Sequence, residues 1–299
     1  MILYKYRNNS EFTDKIFSEK KVWLSNAAGL NDPFECTIGE IAKEWIDEEL
    51  KKLKEGHIMG FVHGAALSIK SKTNFYDLNP RQTEEFLNKF RQKDFDAQYK
   101  TTREFILRKT GREISNPEET FANFDKQLND VGIFSLSESD DSELMWAHYA
   151  DSSKGIAIGF EVTEGGKLAN AENCLKVTYS DVRPTFGGTG FKTTLSFYAF
   201  GKNIQKISFD DTTFQQAVST KTTNWSYERE WRYIEERSGS YDFPGKLKEV
   251  IFGLKCPIDQ RRKYIDLVST HFDYPIEFYE VIIFPNSNKF TKRRYEFTE

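Results

Sequence analysis

Between Trp225 and Tyr233 aromatic residues occupy every second position except 229, which is an arginine, and polar residues lie between them. Because successive side chains of a β-strand point to opposite faces, this alternation predicts a strand with one aromatic face. The rings that would share this face are Trp225, Tyr227, Trp231 and Tyr233. The opposite face would carry Glu228, Glu230 and Arg232, and neighbours on one face of a strand lie about 7 Å apart. The pattern therefore predicts two carboxylates and a guanidinium held close together, either as a solvent-facing ion ladder or as an active site.

The rest of the chain shows strand patterns towards both ends and helical patterns between them. The strand patterns cover Leu3–Arg7, Lys21–Asn26, Gly132–Ser137, Gly155–Val162, Leu175–Ser180, Glu249–Leu254 and Pro275–Phe284. Over residues 39–130 apolar residues recur at helical spacing, and a further helical stretch is expected near 192–206. This order favours a single α+β domain over 1–299, with a helical insertion over 39–130, rather than a regular alternation of strands and helices.

Composition narrows the class of protein. The chain has 299 residues, 29% of them charged, and a formal net charge of −4, which does not indicate a bulk electrostatic grip on nucleic acid. Its three cysteines form no CxxC pair, which argues against a disulfide framework or a zinc site and suits a reducing compartment. No window approaches the length of a membrane span, and the first residues are too polar for a signal peptide. We therefore expect a cytoplasmic protein that does not insert into membranes.

A turn signal, Asn31-Asp32-Pro33-Phe34-Glu35, follows the second predicted strand. It is typical of a turn closed by an aspartate side chain, with proline setting the backbone. It also allows Asp32 and Glu35 to face the same cleft as Glu228 and Glu230. The sequence leaves both interpretations open.

A short helical pattern places His148 between two large rings, Trp146 and Tyr149. A lone histidine is either a structural hydrogen-bonding residue or a catalyst, and the pattern allows both. The chain has no GxSxG elbow, no HExxH, no P-loop and no Rossmann glycine motif after a strand. Motifs alone therefore indicate no catalytic class.

Four stretches of the chain together resemble a known family. They are LYKYR with VWLSN, LNDPFE, ELMWAHYADSSKGIAIGFEV and WSYEREWRYI. In combination they are similar to a widespread bacterial family described only as a domain of unknown function, often met near mobile elements and defence genes. That resemblance implies a toxin or defence setting and no particular chemistry.

The order of three polar positions also resembles the ADP-ribosyltransferase superfamily. Those enzymes have a split β-sheet with an arginine on the first strand, a hydroxyl residue on the second, and a glutamate pair on a late strand. Here Arg7 ends the first predicted strand, Ser25 lies at the second, and Glu228-Arg229-Glu230 lies late in the chain. The chain departs from the family in lacking a Ser-Thr-Ser triplet after Ser25, and Tyr6 competes with Arg7 for the first-strand role.

The resemblance implies a split antiparallel sheet and NAD as the cofactor. Arg7 would pair with the pyrophosphate, and a carboxylate near the ribose would stabilise the positive charge that forms as nicotinamide leaves. Glu230 would bind the ribose and Glu228 would act on the acceptor. The implied catalytic residues are Glu230, Glu228 and His148. The implied cofactor-binding residues are Arg7, Tyr6, Ser25, Asn31, Asp32, Trp146 and Tyr149, with Trp146 or Tyr149 stacking on a ring of NAD.

The expected function is NAD-dependent ADP-ribosyl transfer to a nucleic acid or a protein, by a toxin or phage-defence effector. Such an effector would need an antitoxin or inhibitor protein as a partner. One alternative is a metal-dependent nuclease or phosphoesterase with magnesium on Asp32, Glu35, Glu228 and Glu230. Another is a non-enzymatic module that senses or binds a ligand.

Overall fold

In a computed structural model of the protein, residues 1–114, 116–185, 192–196 and 204–296 are described. The α-helices are α1 (Glu11–Glu19), α2 (Lys43–Lys70), α3 (Pro80–Arg91), α4 (Phe95–Thr110), α5 (Pro117–Asp130), α6 (Glu143–Tyr149), α7 (Thr212–Ser219) and α8 (Ile258–His271). The strands are β1 (Ile2–Arg7), β2 (Lys21–Leu24), β3 (Gly132–Ser137), β4 (Ile156–Glu161), β5 (Cys174–Lys176), β6 (Thr178–Tyr179), β7 (Thr193–Ser196), β8 (Ile204–Ile207), β9 (Thr220–Lys221), β10 (Glu230–Glu235), β11 (Gly239–Asp242), β12 (Lys246–Phe252), β13 (Glu277–Ile283) and β14 (Phe290–Arg294). Short 3₁₀ helices cover Ala27–Gly29, Lys167–Ala169 and Thr223–Glu228.

The chain divides into two compact units. The first unit comprises Met1–Ile38, Leu128–Pro184 and Thr212–Glu299. The second comprises Gly39–Gln127 and Thr185–Asp211. Helices and strands are both abundant, so the α+β class is confirmed. Among the described residues, no helix is long and apolar enough to cross a bilayer.

The first unit contains an eight-stranded sheet in the order β14-β13-β12-β4-β1-β3-β10-β5. Neighbouring strands are antiparallel except β12 and β13, which run parallel. The sheet is therefore mixed, and the prediction of a purely antiparallel sheet is wrong at this one pair. The physical reason is that α8 connects β12 to β13 as a crossover helix, which a parallel pair requires.

Apolar side chains cover both faces of this sheet. Leu3 belongs to a cluster with Phe17 of α1 and Tyr264 of α8, whose rings are 5.7 Å apart. Its neighbour Tyr4 belongs to a second cluster, which includes Trp146 of α6. Because side chains alternate along β1, Lys5 and Arg7 lie on the same face as Leu3.

The junction between β1 and β3 is the weakest in the sheet. A single residue pair, Tyr4 with Ser137, joins these strands, whereas β1 makes six pairs with β4 and β3 makes six with β10. Where β1 turns away, Ser25 takes its place beside β3 through two backbone hydrogen bonds with Ile133, of 2.9 and 2.7 Å. The sheet thus opens next to the last residues of β1.

The second unit has a core of aromatic rings. Phe61 of α2 lies 5.5 Å from Phe90 of α3 and 5.3 Å from Phe105 of α4, centroid to centroid. Strands β7 and β8 pair antiparallel in the stretch near 192–206, so the helix expected there is wrong over the described residues. Threonine and isoleucine at 193, 194, 204 and 207 favour extended backbone, which outweighs the spacing that suggested a helix.

Candidate functional site

Only the second half of the stretch from Trp225 to Tyr233 is a β-strand. Thr223–Glu228 is a 3₁₀ helix, and β10 begins at Glu230. Arg229 lies between them with a φ of 47°, a left-handed conformation that ends the 3₁₀ helix. The prediction of one strand from Trp225 to Tyr233 is therefore wrong in its first half. Glu228 and Glu230 nevertheless reach the same place, since the turn at Arg229 brings them together.

A cavity of about 230 Å³ lies at the opening of the sheet, lined by residues of β1 and β3 and of the segments after β2 and before β10. It brings together side chains that are far apart in the sequence. Of the predicted site residues it is lined by Tyr6, Arg7, Ser25, Asn31, Tyr149, Glu228 and Glu230. The prediction that an arginine of the first strand, a serine of the second and a late glutamate pair share one site is consistent with this geometry.

Three predicted site residues lie elsewhere. Trp146 is fully buried, its Nε1 donates to the Asp140 carbonyl at 2.9 Å, and its ring meets Tyr6 edge-on at 5.0 Å. It is a core residue with no exposed ring face, so of the two rings predicted to stack on a ligand, Trp146 or Tyr149, only Tyr149 lines the cavity. His148 is exposed, and its Nδ1 lies 2.9 Å from the Tyr227 hydroxyl rather than in the cavity lining.

Asp32 closes a turn, which is the structural interpretation of the Asn31–Glu35 signal. Its Oδ1 accepts from the Phe34 amide at 3.0 Å, and its Oδ2 accepts from the Thr222 hydroxyl at 2.9 Å. Burial acts to raise the pKa of Asp32, but these hydrogen bonds together hold it below its ordinary value. The aspartate fixes the turn to the segment that carries Glu228 and does not line the cavity.

A buried group of charges, which we call the ion cluster, forms most of one wall of the cavity. Its members are Glu35, Lys221, Glu228, Glu230 and Arg232. The Lys221 ammonium lies 3.1 Å from Glu35, 2.6 Å from Glu228 and 3.3 Å from Glu230. All five side chains are at most 5% exposed, so the solvent-facing ion ladder is wrong.

Arg232 holds the second side of the ion cluster. Its Nε and Nη2 donate to the two carboxylate oxygens of Glu230 at 3.0 and 3.2 Å, and Nη2 also donates to Glu35 at 2.5 Å. Its Nη1 donates to the Val218 carbonyl at 2.5 Å. Both oxygens of Glu230 are thus engaged by a two-pronged guanidinium, the strongest geometry for such a pair.

The two glutamates differ in their surroundings and therefore in their pKa. Burial acts to raise the pKa of Glu230, but Arg232 and Lys221 outweigh it and hold this pKa well below its usual range. At Glu228, burial is the stronger effect and raises the pKa, although Lys221 and Tyr149 oppose it. The Tyr149 hydroxyl donates to Glu228 and accepts from the Asn31 amide at 3.0 Å. Two carboxylates with pKa values pushed apart are typical of sites in which they have different roles.

A second wall of the cavity carries two cations of β1, Lys5 and Arg7, which we call the cation pair. The Lys5 ammonium donates to the Ser135 carbonyl at 2.9 Å, a neutral acceptor. The Nε of Arg7 is buried and has no hydrogen-bond partner among the described residues. Burial also lowers the pKa of Arg7. A buried donor of a charged group that has no partner among the described residues is costly, which suggests that an anion completes this wall.

The sequence reasoning missed Lys5, Lys221 and Trp23. Trp23 lines the cavity and is 59% exposed, so it offers the ring that Trp146 does not. Lys221 lies between three of the four carboxylates that the nuclease alternative assigned to magnesium, so its ammonium already occupies the point on which they converge. The alternation of Val22, Trp23 and Leu24 could have identified Trp23, since Val22 and Leu24 are the buried pair.

We compared the chain with protein-family models, with curated proteins and with solved structures. No curated protein and no solved structure matches the chain. The similarity to ADP-ribosyltransferases therefore stays a prediction. A family model does match residues 145–233, a stretch that contains Tyr149, Lys221, Glu228 and Glu230. Over these residues the chain is similar to DUF2971, described as a protein of unknown function, which confirms the predicted resemblance to a family of unknown function.

Proposed function

We propose that this protein binds NAD in the cavity and transfers ADP-ribose from it to a nucleic acid or a protein. One observation carries the proposal: a single cavity is lined by Arg7, Ser25 and the Glu228–Glu230 pair, although Arg7 and the glutamates are more than two hundred residues apart in the sequence. Their order along the chain and their chemistry match what NAD cleavage needs. An anion must be bound, a ribose must be held, and positive charge must be stabilised.

The cation pair supplies the anion site. A guanidinium group can donate two parallel hydrogen bonds to two phosphate oxygens. The buried Nε of Arg7 has no partner among the described residues, so it is available to donate to a ligand. Trp23 offers an exposed ring beside this site for the adenine or the nicotinamide. At about 230 Å³ the cavity is smaller than most sites that enclose a ligand, so NAD would extend out of its mouth.

Glu228 is the better candidate for the chemistry than Glu230. Arg232 engages both oxygens of Glu230, which suits a positioning residue that fixes the cluster. Glu228 lines the cavity and is oriented by Tyr149 and Lys221. In its ionised form it would stabilise the positive charge that develops on the ribose as nicotinamide leaves. Because its pKa is raised, the rate should fall with decreasing pH earlier than an ordinary glutamate would require.

The test is calorimetric titration with NAD together with a measurement of nicotinamide release. Arg7→Ala should weaken NAD binding by about tenfold or more, because a charged hydrogen-bonding partner is lost. Glu228→Gln should bind NAD nearly as well as the wild type. It should release nicotinamide at about a hundredth of the wild-type rate or below that. Arg262→Ala and Glu164→Gln, at exposed positions outside the cavity lining, are the matched controls and should behave as the wild type.

Two results would overturn the proposal. One is the absence of NAD binding at about millimolar concentration by a well-folded sample. The other is NAD binding with equal, negligible turnover in wild type and Glu228→Gln across nucleic-acid and protein acceptors, which would favour the ligand-sensing module.

The biological setting is part of the same proposal. We infer a cytoplasmic toxin or phage-defence effector that is restrained by an inhibitor protein. Expression of the wild type alone should slow bacterial growth, and expression of Glu228→Gln should not. Equal growth of both strains would count against a toxin.

A further inference from the structure

The cation pair has an arrangement that differs from ordinary surface charge. Lys5 and Arg7 are two residues apart on β1 and therefore share a face, with their attachment points about 7 Å apart. They lie beyond the single pair that joins β1 to β3, where the backbone of β3 is no longer bonded to β1. The Lys5 ammonium reaches across this opening to the Ser135 carbonyl.

The charged groups around Lys5 come from three elements besides its own. Arg7 on β1 and Lys221 on β9 repel its positive charge, while Glu228 before β10 and Glu230 on β10 attract it. The two glutamates already bind Lys221 at hydrogen-bonding distance, and Lys5 donates to a carbonyl instead. Lys5 thus has no carboxylate in direct contact among the described residues; besides that carbonyl, its ammonium lies 4.9 Å from the centre of the Phe134 ring.

We propose that Lys5 and Arg7 form a two-cation site for a diphosphate diester, and that Lys5 takes up one proton from solvent when the diphosphate binds. The proposal deepens the proposed function, since NAD contains such a diester. It needs only the cation pair and not the chemistry at Glu228. A simple diphosphate diester therefore tests it independently of NAD.

The direction of the proton transfer follows from the surroundings of Lys5. Part of its side chain reaches solvent, but burial around the ammonium, then Arg7, lower its pKa to about 7, against the attraction of Glu230 and Glu228. In the free protein Lys5 therefore loses its proton as the pH rises through neutrality. A bound dianion favours the protonated form and returns that proton to Nζ. Above about pH 7 the affinity should fall by up to about tenfold per pH unit.

The experiment is calorimetric titration of the whole protein with P1,P2-dimethyl diphosphate, whose two charges do not titrate near neutral pH. Titrations at about pH 8 in buffers of different ionisation enthalpy give the number of protons taken up, and we expect about one. Lys5→Arg carries a charge that does not titrate, so it should bind the probe with no proton uptake and no fall in affinity with pH. Lys5→Met should bind about tenfold or more weakly at about pH 6. Lys255→Met, at an exposed position, should match the wild type.

Melting temperatures show which variants remain folded, and only folded variants are compared with the wild type. Lys5→Arg and Lys5→Met test the proposal independently, so either one is sufficient if the other fails to fold. Proton uptake that persists in Lys5→Arg would overturn the proposal, since the proton would then go to another group such as Glu228. Absence of probe binding by the folded wild type would also overturn it.

The two proposals fail in different ways. If dimethyl diphosphate binds with proton uptake but NAD is neither bound nor cleaved, the two-cation site stands and the proposed function falls. If NAD binds and is cleaved with no proton uptake near pH 8, the proposed function stands and the proton-coupled site falls.

Discussion

Two groups of buried charge line the same cavity and differ in one respect. In the ion cluster, every cation meets at least two carboxylates at 3.3 Å or less. In the cation pair, Lys5 meets a backbone carbonyl and the Phe134 ring rather than a carboxylate, and Nε of Arg7 has no partner within the described part of the chain. The two walls are close in space, so this contrast does not come from their position in the fold.

The difference separates charges that hold the protein together from charges that are available to a ligand. A buried ion that is paired on all sides resists replacement, because removing one member leaves the others uncompensated. A buried ion without a partner costs stability in the free protein and regains it when an anion binds. The following predictions test that division, beginning with the largest effect.

Arg232→Met should destabilise the protein most. The substitution leaves Glu35 and Glu230 buried with only Lys221 to compensate them, so we expect the free energy of unfolding to fall by about 3–5 kcal/mol. Urea denaturation followed by circular dichroism measures it. Arg229→Met is the matched control, because Arg229 is 60% exposed and lies 3.5 Å from Glu138. The control should lose about 1 kcal/mol or less, and an equal loss in both variants would break the comparison.

Glu230→Gln should have an intermediate effect that depends on pH. The pKa of Glu230 is held low in the folded protein, so its contribution to stability is fully present above its unfolded pKa of about 4.3. That contribution is lost as the pH falls through the folded pKa. The variant should be less stable than the wild type at neutral pH by about 1–3 kcal/mol and should lose less stability on acidification. Denaturation curves at several pH values check this, and parallel curves for both proteins would contradict it.

Arg7→Met should change stability least. It replaces a half-buried guanidinium, whose buried Nε has no partner among the described residues, by an apolar side chain of similar length, so the free energy of unfolding should stay the same or rise by up to about 1 kcal/mol. The same denaturation assay measures it beside Arg232→Met. A loss comparable to that of Arg232→Met would show that Arg7 is a structural residue, and the distinction between the two walls would fail.

The sequence was sufficient for the parts of the fold that depend on local pattern. The strand at Leu3–Arg7 and the long helices after residue 39 follow from periodicity, and the structure has β1 and α2 to α5 there. Arg7 and Ser25 were identified through the resemblance to ADP-ribosyltransferases, and Glu228 through the aromatic and charged pattern around it. That they line one cavity depends on the pairing of Ser25 with β3, which a local pattern does not contain.

Other parts of the site could not be predicted from the sequence, for identifiable reasons. The end of the 3₁₀ helix at Arg229 could not be predicted from residue type. A left-handed backbone conformation is usually indicated by glycine or asparagine, and the residue here is an arginine. Lys5 and Lys221 resemble the other lysines of the chain, and only their partners in the fold distinguish them. Trp146 and Trp23 are the same residue type with opposite burial, which is decided by tertiary packing.

The position of Lys221 also bears on how the site is assembled. Three carboxylates that converge on one point need a positive charge between them, and in this protein that charge is part of the polypeptide. A charge carried by the chain is present in the same copy number as the carboxylates that surround it. The cation beside Glu228 is therefore synthesised with the polypeptide, one in each molecule. Its presence does not depend on the concentration of ions in the surrounding medium.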